Sequence, residues 1–202
     1  MSAAQKNDNK ISEEEYLAGE LISDIRYEYV DGIVYAMAGA SESHGIISGN
    51  ILSEFKIHLK QKKSPCDAFS SDMKIRIAKQ STSYFYPDVV VICDKHEGDS
   101  DYYKHSPSII VEVLSKSTRK SDKSTKKLSY FNIPSLKEYV VIEQDYCEIE
   151  VFRRNKGWQG SLYFIGDEIT FDSIEATISV EDIYYHVNND DMAQFLMEKE
   201  NG

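Results

Sequence analysis

The stretch SPSIIVEVLS sets Glu112 among Ile109, Ile110, Val111, Val113 and Leu114. A near-continuous apolar run of this length predicts a strand covered on both faces, in the middle of a sheet. An ionised carboxylate there is costly unless a partner, a proton or a metal compensates it. A second such run, YPDVVVICD, opens on Asp88. If the two runs are antiparallel neighbours joined by the loop Lys95–Pro107, Asp88 and Glu112 face each other at one end of the sheet. Two carboxylates with no evident cation between them suit a divalent metal with oxygen ligands. Mg²⁺ fits best, since it accepts a couple of carboxylates and keeps waters for chemistry, with Mn²⁺ as a substitute. The competing reading has Asp88 capping a Pro-Asp turn and Glu112 paired with a following lysine, and spacing alone leaves both open.

A chain of 202 residues suits one domain with a full core. Its 41% apolar and 11% aromatic content is that of a globular protein. The apolar runs are too short to cross a bilayer, and MSAAQKNDNKISEEEY has no apolar core and does not read as a secretory signal. Cys66, Cys93 and Cys147 are odd in number and widely spaced. This predicts reduced thiols in a cytoplasmic protein, with Cys93 as a small buried hydrophobe. The net charge of −11 argues against a generally adhesive nucleic-acid binder. Locally, Lys116, Arg119, Lys120, Lys123, Lys126 and Lys127 stand against the single acid Asp122. A second cluster, Lys56, Lys60, Lys62 and Lys63, reads as a dipole-matched helix end.

In chain order, residues 1–11 read as a disordered polar arm, 12–186 as one domain and 187–202 as a polar tail. Ser12 and Glu15 form a capping-box pattern ahead of a helix. Tyrosine-rich segments flanking Asp31-Gly32 predict a hairpin, with Glu28 in its first strand. A long helix over Ala40–Lys62, capped at Ser41 or Ser43, carries a stripe from Ile46 to Leu59 and has His44 in its first turn. Pro65–Ala78 reads as one strand that joins the Asp88 and Glu112 strands in a three-stranded meander. A helix over about Thr118–Asn132, capped at Ser117, crosses over to a buried parallel strand, KEYVVIEQD. A hairpin around Asn155–Gly157 follows, and ATISVEDIYY adds an edge piece. In the tail, Met192, Phe195, Leu196 and Met197 can dock as a short helix.

Tyr86-Pro87-Asp88 followed by Ile110-Val111-Glu112-Val113-Leu114-Ser115 resembles the PD-(D/E)XK nuclease superfamily. Together with YEYVDGIVYAMAGAS, SDMKIRI, EVLSKSTRKSDKSTKKLSYF and IPSLKEYVVI, the pattern is similar to the Uma2 family (DUF820) of restriction-endonuclease-like proteins over about Glu13–Tyr185. The resemblance implies an α/β fold with a mixed sheet. Its restriction-endonuclease-like core gains an N-terminal helix and hairpin and a C-terminal β-hairpin extension. It implies Mg²⁺ held by Asp88, Glu112 and the main-chain carbonyl of Val113, and a substrate of nucleic acid, DNA foremost. The superfamily's lysine two residues after the Glu is absent, since Leu114 stands there. Resemblance to Uma2 members moves that role to Lys126, four residues after Asp122 and four before Tyr130, with Lys127 as rival. Glu28 matches a recurrent family acid and joins the catalytic candidates. The implied activity is metal-dependent endonucleolytic hydrolysis of phosphodiester bonds, with a homodimer as the arrangement for a double-strand cut. The alternative is a catalytically inactive nucleic-acid- or protein-binding module on the same fold, which the missing Lys at 114 and the acidic charge favour.

Overall fold

A computed structural model describes residues 10–78, 82–94, 100–116 and 118–201. The expected arm lies outside the described residues as far as residue 9, as does the expected cap Ser117. Where the chain enters, Ile11 is already tied down, its N–H donating to the Gly32 carbonyl at 2.9 Å. Ser12 and Glu15 exchange both bonds of the capping box, opening α1 (Glu13–Glu20).

Strands β1 (Tyr27–Val30) and β2 (Ile33–Ala36) form the predicted hairpin, with Asp31 and Gly32 at φ +50° and +90°. Two left-handed residues are what a type I′ turn requires. A Cβ at Gly32 would also stand 2.9 Å from the Lys10 Cβ. Gly32→Ala is expected to cost about 1–3 kcal/mol, read as a lower urea midpoint with an unchanged slope.

Helix α2 (Glu42–Gln61) is capped by Ser41 and buries Ile47, Ile51, Phe55 and Leu59 at the predicted spacing. The single strand expected over Pro65–Ala78 is two strands in two sheets, β3 (Asp67–Ser70) and β4 (Lys74–Ala78). Ser-Ser-Asp favours a turn over an extended chain, and the Met73 N–H closes one onto the Ser70 carbonyl at 3.1 Å. The chain then forms β5 (Thr82–Phe85), β6 (Val89–Ile92), β7 (Tyr103–Lys104) and β8 (Pro107–Leu114). The meander is therefore spatial only: β3, β6 and β8 lie side by side, but β4 and β5 intervene in sequence.

Helix α3 (Arg119–Ser121), a π-helical turn (Asp122–Lys126) and α4 (Lys127–Phe131) run on as one continuous helix. It crosses over to β9 (Glu138–Glu143), parallel to β8 as predicted. Strands β10 (Glu148–Arg153) and β11 (Gly160–Phe164) form the next hairpin, with Gly157 at φ +63°. Strands β12 (Glu168–Phe171) and β13 (Ala176–Ser179) pair only with each other among the described residues. ATISVEDIYY is thus no edge of the main sheet; it supplies β13 and the short α5 (Val180–Ile183). The tail forms α6 (Asp190–Asn201), with Met192 buried and Leu196 and Met197 exposed.

Among the described residues the main sheet runs β11-β10-β9-β8-β6-β3 and a second sheet runs β2-β1-β5-β4-β7. Strand β8 is buried throughout. Ile109, Val111 and Val113 enter the core shared with α2, and Ile110 and Leu114 the core shared with Tyr130, Ile75 and Phe85. By strand alternation Glu112 falls on that second side, between the main sheet and the helix α3–α4.

A disulfide joins Cys66 and Cys93, leaving Cys147 free and buried. This corrects the reduced-thiol reading of Cys93. In the antiparallel β3–β6 pair Asp67 faces Ile92, so the residues just beyond, Cys66 and Cys93, are brought opposite each other. Sequence spacing alone cannot reveal that register.

Candidate active site

The antiparallel register of β6 and β8 sets Val89 opposite Val111, which places Asp88 beside Glu112 at the sheet end. Asp88 accepts from the Val113 N–H at 2.7 Å, so its carboxylate closes over the end of β8. His44, from the first turn of α2, brings Nε2 to 3.2 Å from Asp88 Oδ2.

Glu112 is 3% exposed and accepts at Oε1 from the Tyr130 hydroxyl at 2.8 Å and from Lys126 Nζ at 3.3 Å. Lys126 is itself buried, with Nζ 2.7 Å from Glu28 Oε1 and 3.4 Å from Asp122 Oδ1. The π turn carries both Asp122 and Lys126 to the buried side of the helix. Such turns recur at functional sites. Lys127 takes another direction, its ammonium 3.7 Å from the centre of the Phe152 ring.

The electrostatics follow from burial. Burial raises Glu112 well above the ordinary carboxylate range, Lys126 pulls it back in part, and Asp122, Asp88 and Glu28 push it up again. Burial also raises Asp122, against the pull of Lys126. For Lys126, burial opposes the charge, but Glu112, Glu28 and Asp122 together outweigh it and hold the ammonium well above its ordinary range. His44 likewise stays above its usual value, because Asp88 outweighs its burial.

The structure therefore brings Asp88, Glu112, Lys126, Glu28 and Val113 into one cluster. It adds His44 and Asp122, which sequence reasoning did not place among the site residues. Asp122 had a visible signal, as the single acid in a run of six cations. The basic run is mostly engaged within the fold. Arg119 and Lys123 both pair with the buried Glu143, at 2.6 and 3.0 Å. Lys116 and Lys120 stay exposed.

The Uma2 family, described as "Putative restriction endonuclease", matches residues 13–181 of this chain. The chain belongs to the Uma2 family. Relatives of this chain include "Uncharacterized protein slr1290" of Synechocystis sp., 34% identical over 177 residues, which span 87% of this chain and 92% of the relative. Another, "Uncharacterized protein sll1609" of the same organism, is 35% identical over 142 residues, 69% of this chain and 78% of its own. A crystal structure titled "putative nuclease belonging to DUF820" from Anabaena variabilis shares the fold at a TM-score of 0.64 and 16% identity. The match covers 80% of this chain and 91% of that one. Those parts of this Uma2 chain outside the shared family span include all of α6.

Three or more His, Cys, Asp or Glu side chains do not converge into a metal cage among the described residues. The donor set nonetheless fits a hard cation. Four carboxylates, Glu28, Asp88, Glu112 and Asp122, face Lys126 and His44. Mg²⁺ needs only one or two protein carboxylates with water for the rest. No helix among the described residues is long and apolar enough to cross a membrane.

Proposed function

We propose that this Uma2 member is a Mg²⁺-dependent endonuclease that hydrolyses phosphodiester bonds of nucleic acid, DNA foremost. One observation carries the reading: a buried lysine 3.3 Å from the strand carboxylate Glu112, with Asp88 beside it at the same sheet end. In a structural core this arrangement is costly, whereas hydrolysis of a phosphodiester uses each of its parts.

Asp88, Glu112 and the Val113 carbonyl would hold the metal, which when bound neutralises phosphate charge and lowers the pKa of water. Tyr130 restrains Glu112 by donating to its Oε1, so the carboxylate that would hold the ion is oriented by the fold. Glu28 and Asp122 hold the Lys126 ammonium over the same site. There it orients the attacking water and offsets the negative charge that builds as the P–O bond to the leaving group breaks. His44 holds Asp88 by its carboxylate. Exposed Lys116 and Lys120 supply the local attraction for a polyanion that a net charge of −11 otherwise repels. Two copies would provide the two sites a double-strand cut requires.

Incubation of supercoiled plasmid with Mg²⁺, Mn²⁺ or EDTA, wild type beside Asp88→Asn, tests the proposal. Metal-dependent nicking by wild type alone is the expected outcome. Equal cutting by both proteins would assign the activity elsewhere. The alternative, a non-catalytic module, draws on the acidic net charge and on the internal use of Arg119 and Lys123. Metal-independent plasmid binding without cutting would decide for it.

A further inference from the structure

A cavity of about 300 Å³ lies at the meeting of α1, β4 and the segment before β6, lined by Glu20, Leu21, Asp72, Lys74, Tyr86, Asp101 and Tyr102. Its floor is a buried ammonium. Lys74 is 4% exposed, and the described residues give it one hydrogen-bond partner, Glu20 Oε2 at 3.3 Å. Glu20 has little left to offer it, since its carboxylate also accepts from the Tyr27 N–H at 3.0 Å and from the Tyr86 hydroxyl. Burial, offset only in part by Glu20, holds Lys74 below the ordinary lysine range. A lysine in this state gains from any further acceptor that a ligand brings.

The walls are of a different character. The Tyr86 ring stands 5.6 Å from the Lys74 ammonium, and Tyr102 and Leu21 at the mouth are 64% and 61% exposed. The Asp72 carboxylate is taken by Arg26, while Asp101 lies exposed at the rim. The cavity thus combines a buried ammonium, an exposed carboxylate and aromatic side chains in one lining. It also adjoins the catalytic cluster. Tyr86 lies two residues before Asp88, about 7 Å along an extended chain, and its backbone N–H donates to Glu28 Oε1 at 3.4 Å.

Resting on the nuclease reading, we propose that this cavity takes an unpaired guanine base of the substrate, one unstacked next to the scissile phosphate. Guanine presents two adjacent acceptors, O6 and N7, which match an ammonium. Its N1–H and amino group form two adjacent donors, which match a carboxylate accepting with both oxygens. Its planar faces suit Tyr102, since base–aromatic stacking is sequence-tolerant and strong. Neither adenine nor a pyrimidine places paired acceptors and paired donors on separate edges. An extruded base is how enzymes reach a nucleotide that stacking would otherwise protect.

Titration of the ¹⁵N-labelled protein in EDTA with guanosine, adenosine, cytidine and uridine, followed by NMR, tests this without any cleavage. Guanosine is expected to bind about tenfold more tightly than the others, with shifts centred on the amides of Lys74, Tyr86 and Tyr102. Asp101→Asn and Tyr102→Ala, both at exposed positions, are expected to weaken guanosine binding about tenfold without lowering the melting temperature. Equal affinity for the four nucleosides, or guanosine binding unchanged in both variants, would overturn the proposal. Failure of the nuclease reading would appear instead as an uncut plasmid, an outcome to which the nucleoside titration is blind.

Discussion

Lys126→Ala is expected to destabilise the fold at neutral pH by about 3–5 kcal/mol, the usual result of removing one partner from a buried ionic cluster. For a chain of this size that corresponds to a fall in Tm of about 10 °C. The cause is the company the lysine keeps: Glu28 at 2.7 Å, Glu112 at 3.3 Å and Asp122 at 3.4 Å all lose their shared cation. Because the folded pKa of Lys126 is raised, its contribution is fully present below the ordinary lysine range. That contribution is lost only as pH rises through the elevated folded value. Wild type therefore keeps it across the whole range from pH 5 to 9. In the variant the carboxylates are freer to take up protons, so its deficit should shrink as the pH is lowered toward 5. Thermal melts of both proteins across that range check the prediction, and a deficit independent of pH would show that lost packing, not charge, was responsible. Mg²⁺ should restore part of the lost Tm at pH 7, since a divalent cation can stand in for the missing ammonium.

Glu112→Gln should separate stability from activity. Burial raises the folded pKa of Glu112 well above its unfolded value. A group shifted in that sense contributes stability below its unfolded pKa and loses it as pH rises through the folded one. Glutamine keeps the acceptor for Tyr130 but never ionises, so it escapes that loss. In EDTA the variant should melt at or above the wild-type temperature at pH 8, and the difference should close as pH falls. With Mg²⁺ present, wild type should gain and the variant should not. Cleavage should drop by more than about 100-fold, beyond what losing a mere supporting partner of a metal ligand costs. A variant that cuts at the wild-type rate would remove Glu112 from the chemistry. Stability bought at the expense of function is the general behaviour of charged active sites.

How far the sequence reveals this arrangement depends on the range of the interaction concerned. Local rules carry the capping box at Ser12, the Asp31-Gly32 turn and the stripe of α2, because each is decided within a few residues. The pairing of Asp88 with Glu112 is legible because two successive apolar runs, each suited to the middle of a sheet, have few ways to lie together. Even a tight turn can hide its outcome. The turn at Ser70–Met73 sends β4 to another sheet, and only that departure gives the hairpin bearing Glu28 a surface to pair with, through β5. The link between Cys66 and Cys93 depends on a register that neither strand announces. His44 is one histidine at the start of a helix until the end of β6 is seen beneath it. Lys123 and Arg119 look like phosphate contacts because nothing in their own segment says that Glu143, from a parallel strand, lies below them.

The π turn has a consequence for how the helix tolerates a change of length. Its widened ladder accommodates a residue that a regular helix would not hold, and it ends at Lys126, with Tyr130 and Phe131 on the helical turn that follows. A one-codon deletion within residues 122–125 would therefore turn α3, with Arg119, against the sheet while leaving Lys126 and the anchoring aromatics at their mutual spacing.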